Sequence, residues 1–232
     1  MTGLPTLVAC SHGTSSPIAR QRMTGLADAV GRALPGTRVR EMFVDVETPR
    51  LADSLPGVSG PVVVVPVFLS GGYHLHHDIH EAVNLHHDAV VTAPLGPDAR
   101  LAELQARRLA ELGTTADDVV VMAASASSDG RAVADITAAA ELLRRRGHRV
   151  AGVGFVGGSG LQVADAVASA RRRNRRVVVS SYLLMPGHFQ SKVCKGGGDL
   201  TTPPLLGEDD PDILVRIIVE RYRRAAAVRT AA

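Results

Sequence analysis

Three residues whose types suit chemistry, His12, Asp45 and His74, each follow an apolar run. His12 lies in Ser11-His12-Gly13-Thr14, directly after Leu4-Pro5-Thr6-Leu7-Val8-Ala9-Cys10. Asp45 follows Phe43-Val44, and His74 closes the segment from Val62 through Phe68-Leu69-Ser70-Gly71-Gly72-Tyr73. Neutral imidazoles ligate borderline divalent metals such as Fe²⁺ or Co²⁺, and each also accepts a proton near neutral pH. A nearby carboxylate orients an imidazole and favours its charged form. The set therefore suits a reaction in which a metal arrives as protons leave. A single such histidine is usually a hydrogen-bonded packing residue; three reactive side chains at equivalent strand ends favour a site.

These positions need a scaffold that gathers strand ends. Short Val-rich runs at Thr6–Cys10, Arg38–Val44, Val62–Leu69, Val90–Ala93, Val119–Ala124, Val150–Phe155, Arg176–Leu184 and Leu200–Thr202 alternate with stretches of helical period. Continuous apolar runs imply strands buried on both faces, and regular interleaving implies an α/β fold with parallel sheets. Helices are expected at Pro17–Ala33, Thr48–Leu55, His77–Leu85 and Ala99–Leu112, and the series recurs after residue 115. In such a sheet the carboxyl ends of neighbouring strands converge on one crevice. Backbone N–H groups of Ser11, Gly13, Thr14 and Ser15 would form an anion-binding turn there, and Gly71 and Gly72 would allow close backbone approach to a ligand.

The two halves resemble each other. Leu7-Val8-Ala9-Cys10-Ser11 aligns with Val121-Met122-Ala123-Ala124-Ser125, and Phe43-Val44 with Phe155-Val156. Ala52-Asp53 aligns with Ala164-Asp165, Leu69 and Gly72 with Leu184 and Gly187, and Thr92-Ala93-Pro94-Leu95 with Thr202-Pro203-Pro204-Leu205. The period predicts duplicated domains at 1–115 and 116–232, with the boundary near Gly113-Thr114-Thr115-Ala116. On this register Ala126 stands opposite His12, Gly157 opposite Asp45 and Phe189 opposite His74. The first half is then competent, and the second serves as structure or pocket wall.

Composition narrows the alternatives. The chain has 232 residues, a formal net charge of +3 and no Trp. Arginine runs at Arg144–Arg146, Arg171–Arg173 and Arg175–Arg176 read as solvated helix ends, with Gly147 as a cap. Without an aromatic stacking platform they fit nucleic acid poorly, whereas an anionic small molecule remains compatible. No apolar run approaches the ~18 residues of a spanning helix, and no secretory signal pattern occurs, so a cytoplasmic protein away from membranes is expected. Cys10 and Cys194 make no metal-finger spacing and read as reduced thiols. The glycine-rich stretch Gly152–Gly160 lacks the Lys-Ser/Thr of a P-loop and reads as a tight turn, so no nucleotide is expected.

Ser11-His12-Gly13-Thr14, Phe43-Val44-Asp45 with Pro49, and Phe68-Leu69-Ser70-Gly71-Gly72-Tyr73-His74 with Asp78-Ile79 resemble the sirohydrochlorin chelatases, the class II tetrapyrrole chelatases of sirohaem and cobalamin synthesis. The resemblance spans essentially the whole chain as a two-domain form, and its most specific part is Phe-Leu-x-x-Gly-x-His-x-x-x-Asp-Ile. It implies two three-layer, flavodoxin-like domains facing a central cleft. It also implies a lyase that inserts Fe²⁺ or Co²⁺ into sirohydrochlorin without ATP, with His12 and His74 as the metal-handling residues. The family's acidic residue after the Phe-x pair is commonly Glu; here the corresponding residue is the shorter Asp45. The polycarboxylate rim of the macrocycle would meet the Ser11–Ser15 turn. A tetrapyrrole or metal carrier that catalyses no insertion would need the same residues.

Further features flank the site. His76, His77, His80, His86 and His87 crowd the segment after His74, and His76 with His80, or His77 with Glu81, share a helix face at i, i+4 spacing. They read as partly exposed helical histidines or as a metal-collecting cluster. His188, in Pro186-Gly187-His188-Phe189, is a candidate substrate contact from the second half. Lys192, Lys195 and Gly196-Gly197-Gly198 read as a mobile basic lip or a simple glycine-rich loop. Two fused halves make a monomer the simplest expectation.

Overall fold

The computed structural model describes residues 4–171, 175–207 and 211–230. Among them, two four-stranded parallel sheets occur, in the orders β2-β1-β3-β4 and β6-β5-β7-β8.

The first sheet is built from β1 (Thr6–Ser11), β2 (Val39–Phe43), β3 (Val62–Pro66) and β4 (Ala89–Val91). All of β1 and β3 is buried, which explains why their sequences run apolar without alternation. Val8, Cys10, Val62 and Val64 point to one face, onto α2 (Leu51–Ser54), the 3₁₀ turn Leu55–Gly57, a π-helical turn at Leu75–Ile79 and α3 (His80–Asn84). The other face carries α1 (Pro17–Ala33), whose apolar stripe is Ala19, Met23, Leu26 and Val30, and α8 (Asp212–Thr230), which packs on α1 and β3. Ser16 caps α1 by accepting from the Ala19 N–H at 3.4 Å, with Pro17 at the first helical position.

The second sheet joins β5 (Val119–Ser125), β6 (Val150–Val156), β7 (Val177–Tyr182) and β8 (Leu200–Thr201). One face packs on α6 (Val163–Arg171) and α7 (His188–Cys194), and the other on α4 (Ala99–Glu111) and α5 (Gly130–Arg145). Contacts divide the chain otherwise than expected. One unit holds the chain up to Leu95 and takes back α8; the other begins at Gly96 and includes α4. The sequence boundary near 113–116 lies inside the second unit because α4 lays its buried stripe, Leu101, Leu104, Gln105 and Leu109, into that unit rather than onto the preceding sheet. Gln105 anchors it with a 2.9 Å hydrogen bond to the Ser180 hydroxyl.

Register corrects one alignment. Ser11 pairs with Phe43, and Ala124 with Phe155; the isolated bridges Phe43 to Arg50 and Phe155 to Gln162 identify the two phenylalanines as equivalent. Ser11 therefore corresponds to Ala124, and the counterpart of His12 is Ser125 rather than Ala126. The one-residue slip matters because side chains alternate between faces with period two: it is Val121 and Ala123, not their neighbours, that share the core role of Val8 and Cys10.

The arginine runs divide in role. Arg144 and Arg145 end α5, with Gly147 in left-handed backbone, as expected. Arg171, Arg175 and Arg176 instead pair with Asp199, Asp117 and Asp118 around the sheet; Arg172 and Arg173 lie outside the described residues. Glycines of the expected lip are packed: a Cβ on Gly196 would meet Val163 at 2.5 Å, and one on Gly198 would meet Val179 at 2.6 Å. In the Gly152–Gly160 stretch Gly157, Gly158 and Gly160 have positive φ, as a tight turn requires.

Candidate active site

In the first unit, β1 is flanked by β2 on one side and β3 on the other, so the chain reverses its winding between β1 and β3. Outside the carboxyl ends of such a strand pair a crevice opens. His12 leaves β1 there, and His74 arrives from the loop after β3. Their rings lie 4.8 Å apart, centre to centre, edge to face at 82°. Residues 62 apart in sequence are thus brought into direct contact.

His74 is held from behind. Its Nδ1 lies 2.6 Å from Asp78 Oδ2, a short, charge-assisted separation. A carboxylate oxygen accepts, so Nδ1–H donates, and Nε2 is the ring nitrogen left uncommitted by this bond. The π-helical turn Leu75–Ile79 arranges this. Leu75 and Ile79 are anchored in the core while His74 and Asp78, four residues apart, meet on the partly exposed side. Single π turns inside helices are uncommon and recur at functional sites. Tyr73, exposed beside it, has its ring 5.9 Å from that of His74 and stacks on His77 at 4.9 Å.

His12 is held through backbone. Its carbonyl accepts from the N–H groups of Asp45 and Val46 at 3.3 and 3.2 Å, which fastens the segment after β2 to the end of β1. Gly13 adopts φ +86°, and a Cβ there would fall 2.9 Å from the Glu47 backbone nitrogen, so only glycine fits.

The carboxylates exchange the expected parts. Asp45 does not orient either imidazole; its carboxylate is 58% exposed and lies 3.6 Å from Arg50. Asp78 takes that task. The sequence held a signal for it, the i, i+4 spacing from His74, although the residue stood only as part of a motif. Glu47 had no such signal, because its partners are remote in sequence. It accepts from the Thr14 N–H at 2.7 Å and pairs with Arg20 at 3.0 Å, while Arg20 also donates to the Thr14 carbonyl at 2.8 Å. The expected anion-binding turn is altered accordingly. The Thr14 N–H is taken, and Ser11 is buried in β1 with its hydroxyl unpaired. Ser15 is exposed, and Gly13 is partly so. Gly71 is buried, and the Gly72 carbonyl starts the π-helical turn by accepting from Leu75 and His76.

Beneath the pair, burial pushes the Cys10 thiol far above its usual range, with the Asp78 charge a lesser cause, so Cys10 stays protonated and packs as an apolar residue. Cys194 is exposed, and neither cysteine forms a disulfide. His86 is buried, with Nδ1 accepting from the Asp88 N–H and Nε2 donating to the Val58 carbonyl, and is therefore structural. His188 belongs to the second unit, where it opens α7; its ring lies 6.0 Å from that of Phe189.

Residues 6–112 match the CbiX protein family. A sirohydrochlorin cobaltochelatase of Methanosarcina barkeri is 29% identical over 122 residues, covering 45% of this chain and 94% of that protein. Solved structures share the whole architecture. SirB from Bacillus subtilis, with Fe³⁺, has a TM-score of 0.79 at 18% identity and covers 98% of both chains. The first half of the chain is thus similar in sequence to CbiX and to that cobaltochelatase, and the chain shares the fold of SirB. A second SirB structure, from Bacillus subtilis subspecies spizizenii in complex with cobalt, has a TM-score of 0.75 at 16% identity over 97% of this chain and 96% of that one. The CbiX match runs from β1 through α4, past the point where contacts divide the chain, because the sequence repeat ends with a helix that packs in the other unit. Among the described residues no helix is long and apolar enough to cross a membrane.

Proposed function

We propose that this protein is a chelatase that inserts a divalent metal, Co²⁺ or Fe²⁺, into sirohydrochlorin without ATP, releasing two pyrrole protons. The observation that carries the reading is the His12–His74 pair at the strand switch point, with Asp78 fixing the Nδ1 side of His74. Insertion must strip water from the metal and remove protons from the macrocycle. An imidazole with its far nitrogen committed presents Nε2 as the metal ligand or the proton acceptor. His12, set edge-on to that ring, supplies the second donor. Arg50 beside Asp45 and Arg20 beside Glu47 are half-exposed cations at the ends of the same loops, suited to the carboxylates of the macrocycle. Glu47 rigidifies the turn that carries His12 and takes the Thr14 N–H that substrate would otherwise meet. The protein works in the cytoplasm as a monomer, with no nucleotide and no nucleic acid partner.

The test is anaerobic mixing of purified protein with sirohydrochlorin and either metal, followed by visible absorption. Acceleration well above the spontaneous rate is expected, as is its loss in the double variant His12→Ala, His74→Ala with the fold intact. Undiminished turnover in that variant overturns the assignment. Tight binding of the tetrapyrrole without acceleration would identify a carrier instead. Side-by-side kinetics with Co²⁺ and Fe²⁺ decide the physiological metal.

A further inference from the structure

The π-helical turn that presents His74 continues into a stretch whose imidazoles the proposed insertion step leaves unused. His76 and His80 are both exposed and lie one helical turn apart, with rings parallel within 4° and centroids 6.0 Å apart. Among the described residues, no hydrogen bond or ion pair ties down either ring. Beside them, His77 Nδ1 lies 3.4 Å from Glu81 Oε2 and 3.5 Å from Asp78 Oδ1, so two carboxylates sit on the same short segment. His86 differs, being buried with both nitrogens engaged.

Two imidazoles at i, i+4 on one helix face can close on a single divalent ion, as in helical zinc motifs. Imidazole donors select ions such as Co²⁺, Fe²⁺, Ni²⁺ and Zn²⁺ over Mg²⁺ or Ca²⁺. No group of three or more His, Cys, Asp or Glu among the described residues is gathered into a metal cage. A site here therefore has two protein ligands, with water in the remaining positions. Such a site is weak and exchangeable, which suits an ion that must be handed on. The neighbouring carboxylates add attraction for a cation without entering the coordination shell.

We propose that His76 and His80 form an exchangeable landing site for the divalent metal, next to His74 and separate from the His12–His74 pair. Its role in supplying metal to the reaction rests on the proposed chelatase function; its capacity to bind metal does not. Both side chains are exposed, so His76→Gln with His80→Gln leaves the core unchanged.

The experiment uses the full chain and Co²⁺ alone as probe, in anaerobic equilibrium dialysis with visible absorption of the bound ion. The His76→Gln, His80→Gln variant is expected to bind one equivalent fewer than the unsubstituted protein. The His12→Ala, His74→Ala variant is expected to keep that equivalent. In the insertion assay, the His76→Gln, His80→Gln variant should show a raised KM for Co²⁺, with kcat at saturating metal and KM for sirohydrochlorin unchanged. Unaltered Co²⁺ stoichiometry overturns the site. An equivalent lost with no change in the metal KM overturns its supply role. Absence of chelation by the unsubstituted protein would sink the proposed function while leaving the dialysis result to decide the metal site.

Discussion

Replacing Asp78 with Asn keeps the shape of the side chain and removes the charge that holds His74. The bond at stake is 2.6 Å long, and hydrogen bonds to a charged group contribute ~1.5–3 kcal/mol. The two side chains are 41% and 35% exposed, so solvent screening places the expected effect at the lower end. Carboxylates behind metal-handling histidines change affinity or activity by roughly 10–100-fold when removed. With screening, a fall of about tenfold in kcat/KM is expected, equivalent to ~1.4 kcal/mol in barrier. The assay is anaerobic metallation of sirohydrochlorin, measured for Asp78→Asn, His74→Ala and the double variant. If Asp78 acts through His74, adding Asp78→Asn to His74→Ala changes nothing further. An unchanged rate in Asp78→Asn, or an equal tenfold drop in the His74→Ala background, refutes the reasoning.

Gly13→Ala should destabilise the protein by about 2 kcal/mol or more in urea unfolding, since left-handed backbone alone costs ~1–2 kcal/mol for other residues and the new Cβ would press on the Glu47 backbone; full stability would contradict the close approach. Arg176 holds the Asp118 carboxyl down at about 2, so their interaction stabilises the fold fully above the unfolded carboxylate range and is lost as pH falls from ~4 toward that value. Arg176→Gln should accordingly unfold at a higher pH on acidification, its deficit largest at neutral pH and vanishing near pH 2, and a deficit independent of pH would count against the pairing. His86→Ala, which removes a buried ring bonded at both nitrogens, should cost about 2–4 kcal/mol by denaturant midpoint while leaving kcat/KM for insertion unchanged.

The strands and the helix Pro17–Ala33 were legible in sequence because burial on both faces demands unbroken apolar runs, and because Ser16 and Pro17 mark a helix start locally. His12 and His74 were legible for a related reason: each follows a buried strand, and parallel strands deliver such positions to one end of a sheet. Local pattern reveals only part of what those residues meet. Asp78 stands behind His74 at an i, i+4 spacing visible in the sequence, whereas Glu47 reaches Thr14 across 33 residues of chain. Asp45 looked suitable by position, yet it turns toward Arg50 and solvent. The units likewise depended on packing. The sequence repeats with one period, but α4 and α8 each bury their apolar stripes in a unit other than the one that period suggests. Sequence alone determined the scaffold and the two imidazoles, through rules of period and burial that act within a few residues. Tertiary structure decided the part that Asp45 takes, the clamp on the His12 turn and the true counterpart of His12. Those depend on distances between segments far apart in the chain, and no local pattern encodes them.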